Sequence, residues 1–187
     1  METPRQAARL SGLNHLVINV RNMEESHRFW TEMLGFQQVA RLVAGDPSEI
    51  QRGMQFYSAD HGDGQLSHHD IAFVEVPGLP TPPADAPLVS AIAHIAIAFP
   101  DRETWLRQLT YLQAQGVKFD RRVEHGPTHS LYIRDPNGYS VELLYELPRE
   151  VWQGDIEAAI NHYVALPTEG PEALEDRAEG LPVFAVR

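Results

Sequence analysis

The segments "LNHLVINV" (residues 13–20) and "IAHIAIAF" (residues 92–99) decide the fold, because one pattern of residues occurs twice in the chain. Each segment is short and rich in aliphatic residues, which is typical of a buried strand. Each also carries a histidine at its third position, His15 in the first and His94 in the second. A repeat of this kind predicts two copies of one supersecondary unit.

The segments that follow each strand repeat in the same order. "NMEESHRFWTEMLG" (22–35) and "DRETWLRQLTYLQAQG" (101–116) each begin with a capping residue, space apolar residues helically and end at glycine. Three strand-like runs then follow each helix: "FQQVARLVA", "MQFYSA" and "SHHDIAFVEV" in the first copy, and "VKFDRRVEH", "HSLYIRD" and "YSVELLYE" in the second. The sequence therefore predicts an α+β fold of two paired βαβββ modules.

Four regions follow from this pattern. We predict the first module over 11–76, a proline-rich linker over 77–90, the second module over 91–146 and a C-terminal tail over 147–187.

Within the tail, "REVWQGDIEAAINHYVAL" predicts one helix. Its apolar stripe, formed by Trp152, Ile156 and Ile160, would cover a sheet edge. The acidic, proline-containing remainder is expected to be solvated, so deleting residues 168–187 should leave metal binding intact.

The composition excludes several classes of function. Lys and Arg number 15 against 26 Asp and Glu, and the net charge of −11 disfavours nucleic acid or an anionic membrane surface as a partner. The absence of cysteine excludes disulfides, thiolate nucleophiles and zinc–thiolate sites, so the nine histidines must carry any metal chemistry. No apolar run approaches the roughly 18 residues of a membrane span, and the N-terminus lacks a secretory signal pattern. We expect a cytoplasmic protein.

His15, His94 and Glu142 are the candidate metal ligands. A single histidine in a strand is most often a hydrogen-bonded structural residue, but two at matched positions favour a shared divalent metal. Glu142 shares its strand face with Ser140 and Leu144, although a glutamate there could also point to water. Two imidazoles and one carboxylate form the facial triad that holds Fe(II) with open positions.

These residues carry a family resemblance. "LNHLVINVRNMEESHRFWTEMLGF", "AHIAIAF" and "LYIRDPNGYSVELLYE" resemble the vicinal oxygen chelate superfamily over residues 11–146, which includes glyoxalases and bleomycin- or fosfomycin-resistance proteins. "HHDIAF" followed by "LYIRDPNGYSVE" is most similar to the type I extradiol ring-cleaving dioxygenases. The resemblance implies modules that form a cup around non-haem Fe(II), with Mn(II) as the alternative metal. It also implies a small aromatic diol and dioxygen as substrates.

The resemblance further implies roles for residues around the metal. His69 matches an acid–base catalyst, and Tyr132 matches a tyrosine that hydrogen-bonds a substrate oxygen. The loop "EHGPTH" looks shorter than in the family, which leaves His125 and His129 as candidates for a substrate-binding histidine. The register of "SHHDIAFVEV" stays open: Asp70 could instead match Glu142 and act as a fourth ligand, as a glutamate does in glyoxalases, or either histidine of the pair could simply cap the strand.

Three functions are consistent with these residues. We expect Fe(II)-dependent extradiol cleavage of a catechol-type ring. The alternatives are a glyoxalase- or epimerase-like isomerase with Asp70 as a ligand, and a metal-free ligand-binding protein similar to the bleomycin-resistance members. The sequence leaves open which catechol is cleaved, whether cleavage is proximal or distal, and whether the chain forms a homo-oligomer.

Overall fold

The chain forms two units, each built on one β-sheet. The computed structural model describes residues 13–42, 54–80, 92–177 and 180–184. Unit 1 comprises Met1–Pro80 and unit 2 comprises Thr81–Arg187. The boundary falls inside the predicted linker, of which residues 81–90 lie outside the described residues.

Unit 1 contains a four-stranded sheet in the order β1-β4-β3-β2. Strand β1 is parallel to β4, and the other neighbours are antiparallel. The elements are β1 (Leu16–Val20), α1 (Met23–Arg28), a π-helical turn (Phe29–Met33), β2 (Gln37–Arg41), β3 (Gln55–Ser58) and β4 (Ile71–Glu75).

The helix of unit 1 begins as the sequence predicts but ends differently. The Asn22 side chain accepts a hydrogen bond from the Glu25 N–H at 2.9 Å, as expected of an N-cap. The last turn is π-helical, because the Leu34 N–H bonds the carbonyl of Phe29, five residues earlier. Within this turn Trp30 is completely buried.

Unit 2 contains a five-stranded sheet in the order β5-β8-β7-β6-β9, with β5 parallel to β8. Its elements are β5 (Ile95–Phe99), α2 (Arg102–Ala114), β6 (Arg121–Glu124), β7 (Thr128–Arg134), β8 (Ser140–Glu146), α3 (Arg149–Trp152), α4 (Ile156–Asn161) and β9 (Val164–Leu166). Helix α2 packs on one face of this sheet, where Trp105 is buried and donates to the carbonyl of Leu143 at 2.8 Å. The predicted α+β class with two βαβββ modules is confirmed.

The single helix predicted from residue 149 to residue 166 is wrong. Two short helices and a strand occupy this segment, and the break falls at Asp155, whose side chain caps α4 by accepting from the Ala158 N–H at 2.9 Å. Ile156 and Ile160 of the predicted stripe are exposed, at 51% and 61%. The sheet edge is instead covered by β9, which pairs antiparallel with β6.

The expectation that the rest of the tail is solvated is also wrong. The Asp176 side chain is completely buried, and its carboxylate contacts the side chains of Arg102, His129 and Tyr145. The Arg122 guanidinium donates to backbone carbonyls of the same segment. An acidic composition did not reveal this packing, because the acid is matched by a guanidinium on the helix and by a buried imidazole and a hydroxyl on the sheet.

No helix in the parts of the chain that the structure describes is long and apolar enough to cross a membrane.

Candidate functional site

Strand register identifies the equivalent positions of the two units. In unit 1 Val17 pairs with Ala72, and in unit 2 Ala96 pairs with Glu142. Val17 and Ala96 each lie two residues after the histidine of their strand. Ala72 is therefore the equivalent of Glu142, which corrects the alternative alignment of Asp70 with Glu142.

In unit 2 three of the predicted site residues come together. His94 Nε2 lies 3.0 Å from Glu142 Oε2, and the Tyr132 hydroxyl donates to Glu142 Oε1 at 2.7 Å. Tyr132 and Glu142 are paired across β7 and β8, which fixes the second contact through the backbone. Glu142 is only 6% exposed, whereas the His94 side chain is 43% exposed. The carboxylate is thus held from both sides, with the imidazole at the open end.

The Tyr132 hydroxyl remains protonated at neutral pH. Burial raises the pKa of Tyr132, and its hydrogen bond to the Glu142 carboxylate raises it further. The nearby Arg121 guanidinium opposes this shift without reversing it. Tyr132 is therefore a hydrogen-bond donor at this site.

The donor atoms at this site fit a divalent metal. An imidazole nitrogen and a carboxylate oxygen that converge to 3.0 Å are the ligand types of non-haem Fe(II) or Mn(II) sites. The third predicted ligand, His15, lies in unit 1 and is exposed. Among the described residues no three His, Asp or Glu side chains are grouped so as to hold one metal ion. The pair whose geometry fits a divalent metal is therefore His94 and Glu142.

In unit 1 the structure brings His15 together with His69. Their ring centroids lie 4.2 Å apart, and the ring of His69 also packs edge-on against Phe56 at 5.0 Å. His69 Nδ1 lies 2.8 Å from Nδ1 of His68, which is more exposed. Burial lowers the pKa of His69, and the neighbouring His15 and His68 lower it further. His69 is therefore neutral at pH 7 and able to accept a proton.

Asp70 belongs to the turn that precedes β4. Its carboxylate accepts hydrogen bonds from the Ala59 N–H at 2.8 Å, the Ser58 hydroxyl at 3.0 Å and the Ser67 hydroxyl at 2.9 Å, and His61 Nε2 lies 2.9 Å away. Burial would raise the pKa of Asp70, but these hydrogen bonds outweigh it and the net shift is downward. The acid at the start of the strand thus anchors a turn.

Neither His129 nor His125 lies beside Glu142. His129 pairs with Tyr145 and points to the opposite face of the sheet from Tyr132, because neighbours along a strand alternate. It is completely buried, with Nδ1 2.7 Å from Asp176 Oδ1. This arrangement corrects the expectation that His129 contacts substrate at the site.

His125 lies in the turn between β6 and β7. Its Nδ1 is 3.1 Å from the carbonyl oxygen of His162, in the segment that follows α4. The turn joins the ends of β6 and β7 that are distant from Tyr132. His125 therefore also lies away from Glu142.

Arg121 is a site residue that the sequence analysis did not identify. Its guanidinium carbon lies 3.9 Å from the centroid of the Tyr132 ring, with which it is paired across β6 and β7. The two consecutive arginines, 121 and 122, could have indicated an arginine at the site, because neighbouring side chains on a strand point to opposite faces. Arg122 is buried at 1% exposure on the helix side, and Arg121 is exposed on the side of Tyr132.

The chain belongs to the Glyoxalase/Bleomycin resistance protein/Dioxygenase superfamily, whose family model matches residues 12–143. It is 30% identical over 131 residues to biphenyl-2,3-diol 1,2-dioxygenase 3 of Rhodococcus globerulus, covering 70% of this chain and 61% of the relative. It is 26% identical over 176 residues to catechol-2,3-dioxygenase of Bacillus subtilis (strain 168), covering 91% and 55%. The chain thus spans little more than half the length of these two relatives.

Other relatives widen the range of activities in the family. Lactoylglutathione lyase of Pseudomonas putida is 27% identical over 157 residues, covering 72% of this chain and 85% of the lyase. A glyoxylase/bleomycin resistance protein/dioxygenase domain from Frankia sp. EAN1pec superposes with a TM-score of 0.54 at 22% identity, covering 74% of this chain and 94% of that chain. The structural likeness establishes the fold.

Proposed function

We propose that the protein is an Fe(II)-dependent extradiol dioxygenase that cleaves a catechol-type aromatic ring with dioxygen. The observation that carries the proposal is the cluster in unit 2, where one oxygen of Glu142 faces His94 and the other accepts from Tyr132. Two relatives named as dioxygenases of aromatic diols add support. Mn(II) is the alternative metal.

His15, His94 and Glu142 would hold the metal in this proposal. When bound, Fe(II) supplies one point of attachment for both diol oxygens and dioxygen, and it lowers the proton affinity of the diol. Tyr132 orients the substrate, because its hydroxyl donates its one proton to Glu142 and can accept a hydrogen bond from a diol hydroxyl. The burial of Tyr132 and Glu142 excludes water from this contact.

His69 is the proposed acid–base catalyst. Its imidazole is neutral at pH 7, and Nε2 is the nitrogen not used in the contact with His68. A neutral imidazole can take the proton that the diol loses on binding and return it as the ring opens. Its ring lies against His15, a proposed ligand, which supports a position beside the bound diol.

The register of unit 1 supports a site with three protein ligands over the isomerase alternative. That alternative needs Asp70 as a fourth ligand, but Asp70 is occupied by the turn from Ser58 to Ser67, and Ala72 is the equivalent of Glu142. A three-ligand site leaves positions open for a chelating diol and dioxygen.

The test is anaerobic loading with Fe(II), followed by admission of oxygenated buffer in the presence of a panel of catechols. We expect a coloured ring-opened product and oxygen uptake in proportion to it. Phenol, which lacks the second hydroxyl, is the matched substrate control. An iron-loaded protein that consumes no dioxygen with any diol contradicts the proposal.

A further inference from the structure

Arg121 places a positive charge next to the candidate site. Its guanidinium is stacked on the ring of Tyr132, whose hydroxyl bonds Glu142. Arg121 is exposed, although Tyr132 beneath it is only 5% exposed. The charge therefore lies at the solvent side of the cluster.

Arg121 differs from most arginines of the described residues, which are paired with carboxylates. Such pairs are formed by Arg21, Arg28, Arg102, Arg107, Arg134 and Arg177. No carboxylate within the described part of the chain lies in ion-pair distance of Arg121. Because acidic residues outnumber basic ones and the net charge is −11, an arginine at the site without an acidic partner is unusual.

We propose that Arg121 binds an anionic substituent of the substrate, so that the preferred diol carries a carboxylate on a short side chain. This inference rests on the proposed function, since it names the class of diol that the same site takes. A guanidinium stacked by one face on an aromatic ring keeps the N–H groups along its edge available. Those groups form two parallel hydrogen bonds with a carboxylate, a geometry that a neutral substituent cannot match.

Arg134 provides a matched control on the same face of the sheet. It lies two residues after Tyr132 on β7, so its side chain leaves the strand on the same side. Its Nε donates to Asp120 Oδ2 at 2.7 Å, which neutralises its charge. Replacing Arg134 removes a guanidinium close to the site but removes no unpaired charge.

The experiment compares 3,4-dihydroxyphenylacetate with 4-ethylcatechol, a neutral diol of similar size, on the full chain loaded with Fe(II). We expect wild type to prefer the carboxylated diol in kcat/KM. Arg121→Gln should lower kcat/KM for that diol by about 10- to 100-fold, the usual range for a lost charged hydrogen bond, and change the neutral diol little. Arg134→Gln should leave the preference unchanged. Anaerobic titration calorimetry of both diols provides a second readout that does not depend on turnover.

The outcomes separate this inference from the proposed function. An equal loss for both diols in Arg121→Gln means that Arg121 only supports Tyr132, and it overturns the inference while the dioxygenase proposal stands. If wild type cleaves neither diol but binds the carboxylated one more tightly, and Arg121→Gln abolishes that difference, the anion site stands and the proposed reaction fails. No preference in calorimetry overturns the inference in either case.

Discussion

The two units share one topology and differ at the position where chemistry is expected. In both, the first strand runs parallel to the last, and the register equates Ala72 of unit 1 with Glu142 of unit 2. Unit 2 therefore offers a buried carboxylate where unit 1 has a methyl group. A duplicated scaffold can therefore keep its backbone register while a single side chain decides which copy carries the buried acid.

The residues at the start of the last strand also differ between the two units. In unit 1 Asp70 anchors the preceding turn, and its equivalent in unit 2 is Ser140. His68 and His69 have no histidine counterparts in unit 2, where Gly138 and Tyr139 precede that strand residue. The two imidazoles thus precede the last strand of unit 1, and the buried carboxylate lies on the last strand of unit 2.

The largest effect should come from removing the proposed ligands. We expect Glu142→Ala, His94→Ala and His15→Ala each to lose most of the bound iron, because three protein ligands are needed to chelate it. Iron content after gel filtration measures this. Glu146→Ala is the control, since Glu146 lies on the same strand face but is exposed. Any variant that retains its full iron removes that residue from the ligand set.

The next largest effect tests whether His69 of unit 1 is the acid–base catalyst. His69→Phe should keep its iron and still bind catechol, but its turnover should fall by roughly 10² to 10⁴, the usual contribution of a positioned proton-transfer group. Oxygen uptake and iron content are measured side by side. His68→Phe, which changes the more exposed partner, should alter turnover little. An active His69→Phe enzyme contradicts the role proposed for unit 1.

The third prediction concerns the segment that only unit 2 possesses. Asp176→Ala should lower the free energy of unfolding by about 3 kcal/mol, because it leaves His129 and the Tyr145 hydroxyl buried without their acidic partner. Urea denaturation measures the change. Glu169→Ala, an exposed acid of the same tail, is the control. Deleting residues 168–187 should be more destabilising still, contrary to the expectation from composition.

The same carboxylate should make unit 2 sensitive to acid. Burial would raise the pKa of Asp176, but the hydrogen bond and charge of His129, with Tyr145 and Arg102, hold it below the usual value of 3.8. A depressed folded pKa stabilises the protein above the unfolded pKa, and this stabilisation is lost as the pH falls through the folded pKa. The stability difference between wild type and Asp176→Asn should therefore shrink as the pH is lowered below about 4. A difference that stays constant with pH would show that Asp176 is not ionised in the folded state.

The smallest effect is expected for Asp70, and it discriminates between the two metal sites considered. Asp70→Asn should keep its iron and lose about 1–2 kcal/mol of stability, because it weakens hydrogen bonds within one turn. Iron analysis and urea denaturation give the two quantities. Loss of the metal in this variant would instead favour a four-ligand, isomerase-like site.

Local patterns were sufficient to predict most of the fold. The apolar runs, the capping residues Asn22 and Asp101 and the glycines at 35 and 116 are signals within single elements, and each has its expected place in the structure. The tail could not be predicted in this way. Its burial depends on Asp176 meeting Arg102 of α2, a contact between residues far apart in the sequence.

The candidate site was predictable only in part for a similar reason. Matched spacing singled out His94, the strand pattern singled out Glu142 and the family resemblance singled out Tyr132, and the structure brings the three together. To decide whether His69 or Asp70 faces the site, the pairing register of β4 must be known. A shift of that register by one residue would turn every side chain of the strand to the other face. His129 was misjudged because it was interpreted as a loop residue, whereas it lies on β7 three residues before Tyr132 and therefore points to the opposite face.

The burial of Asp176 has a consequence for how the chain is made. The last strand of unit 1 ends at Glu75, whereas unit 2 lacks a buried partner of His129 until residue 176 has been synthesised, about 100 residues later. At usual translation rates of about 5–20 residues per second, that interval lasts about 5 to 20 s. Unit 1 can fold on the ribosome during this time, while Arg102, His129 and Tyr145 of the nascent unit 2 still lack their acidic partner. A stop codon between residues 150 and 176 would therefore release a chain in which His129 lacks its buried acidic partner.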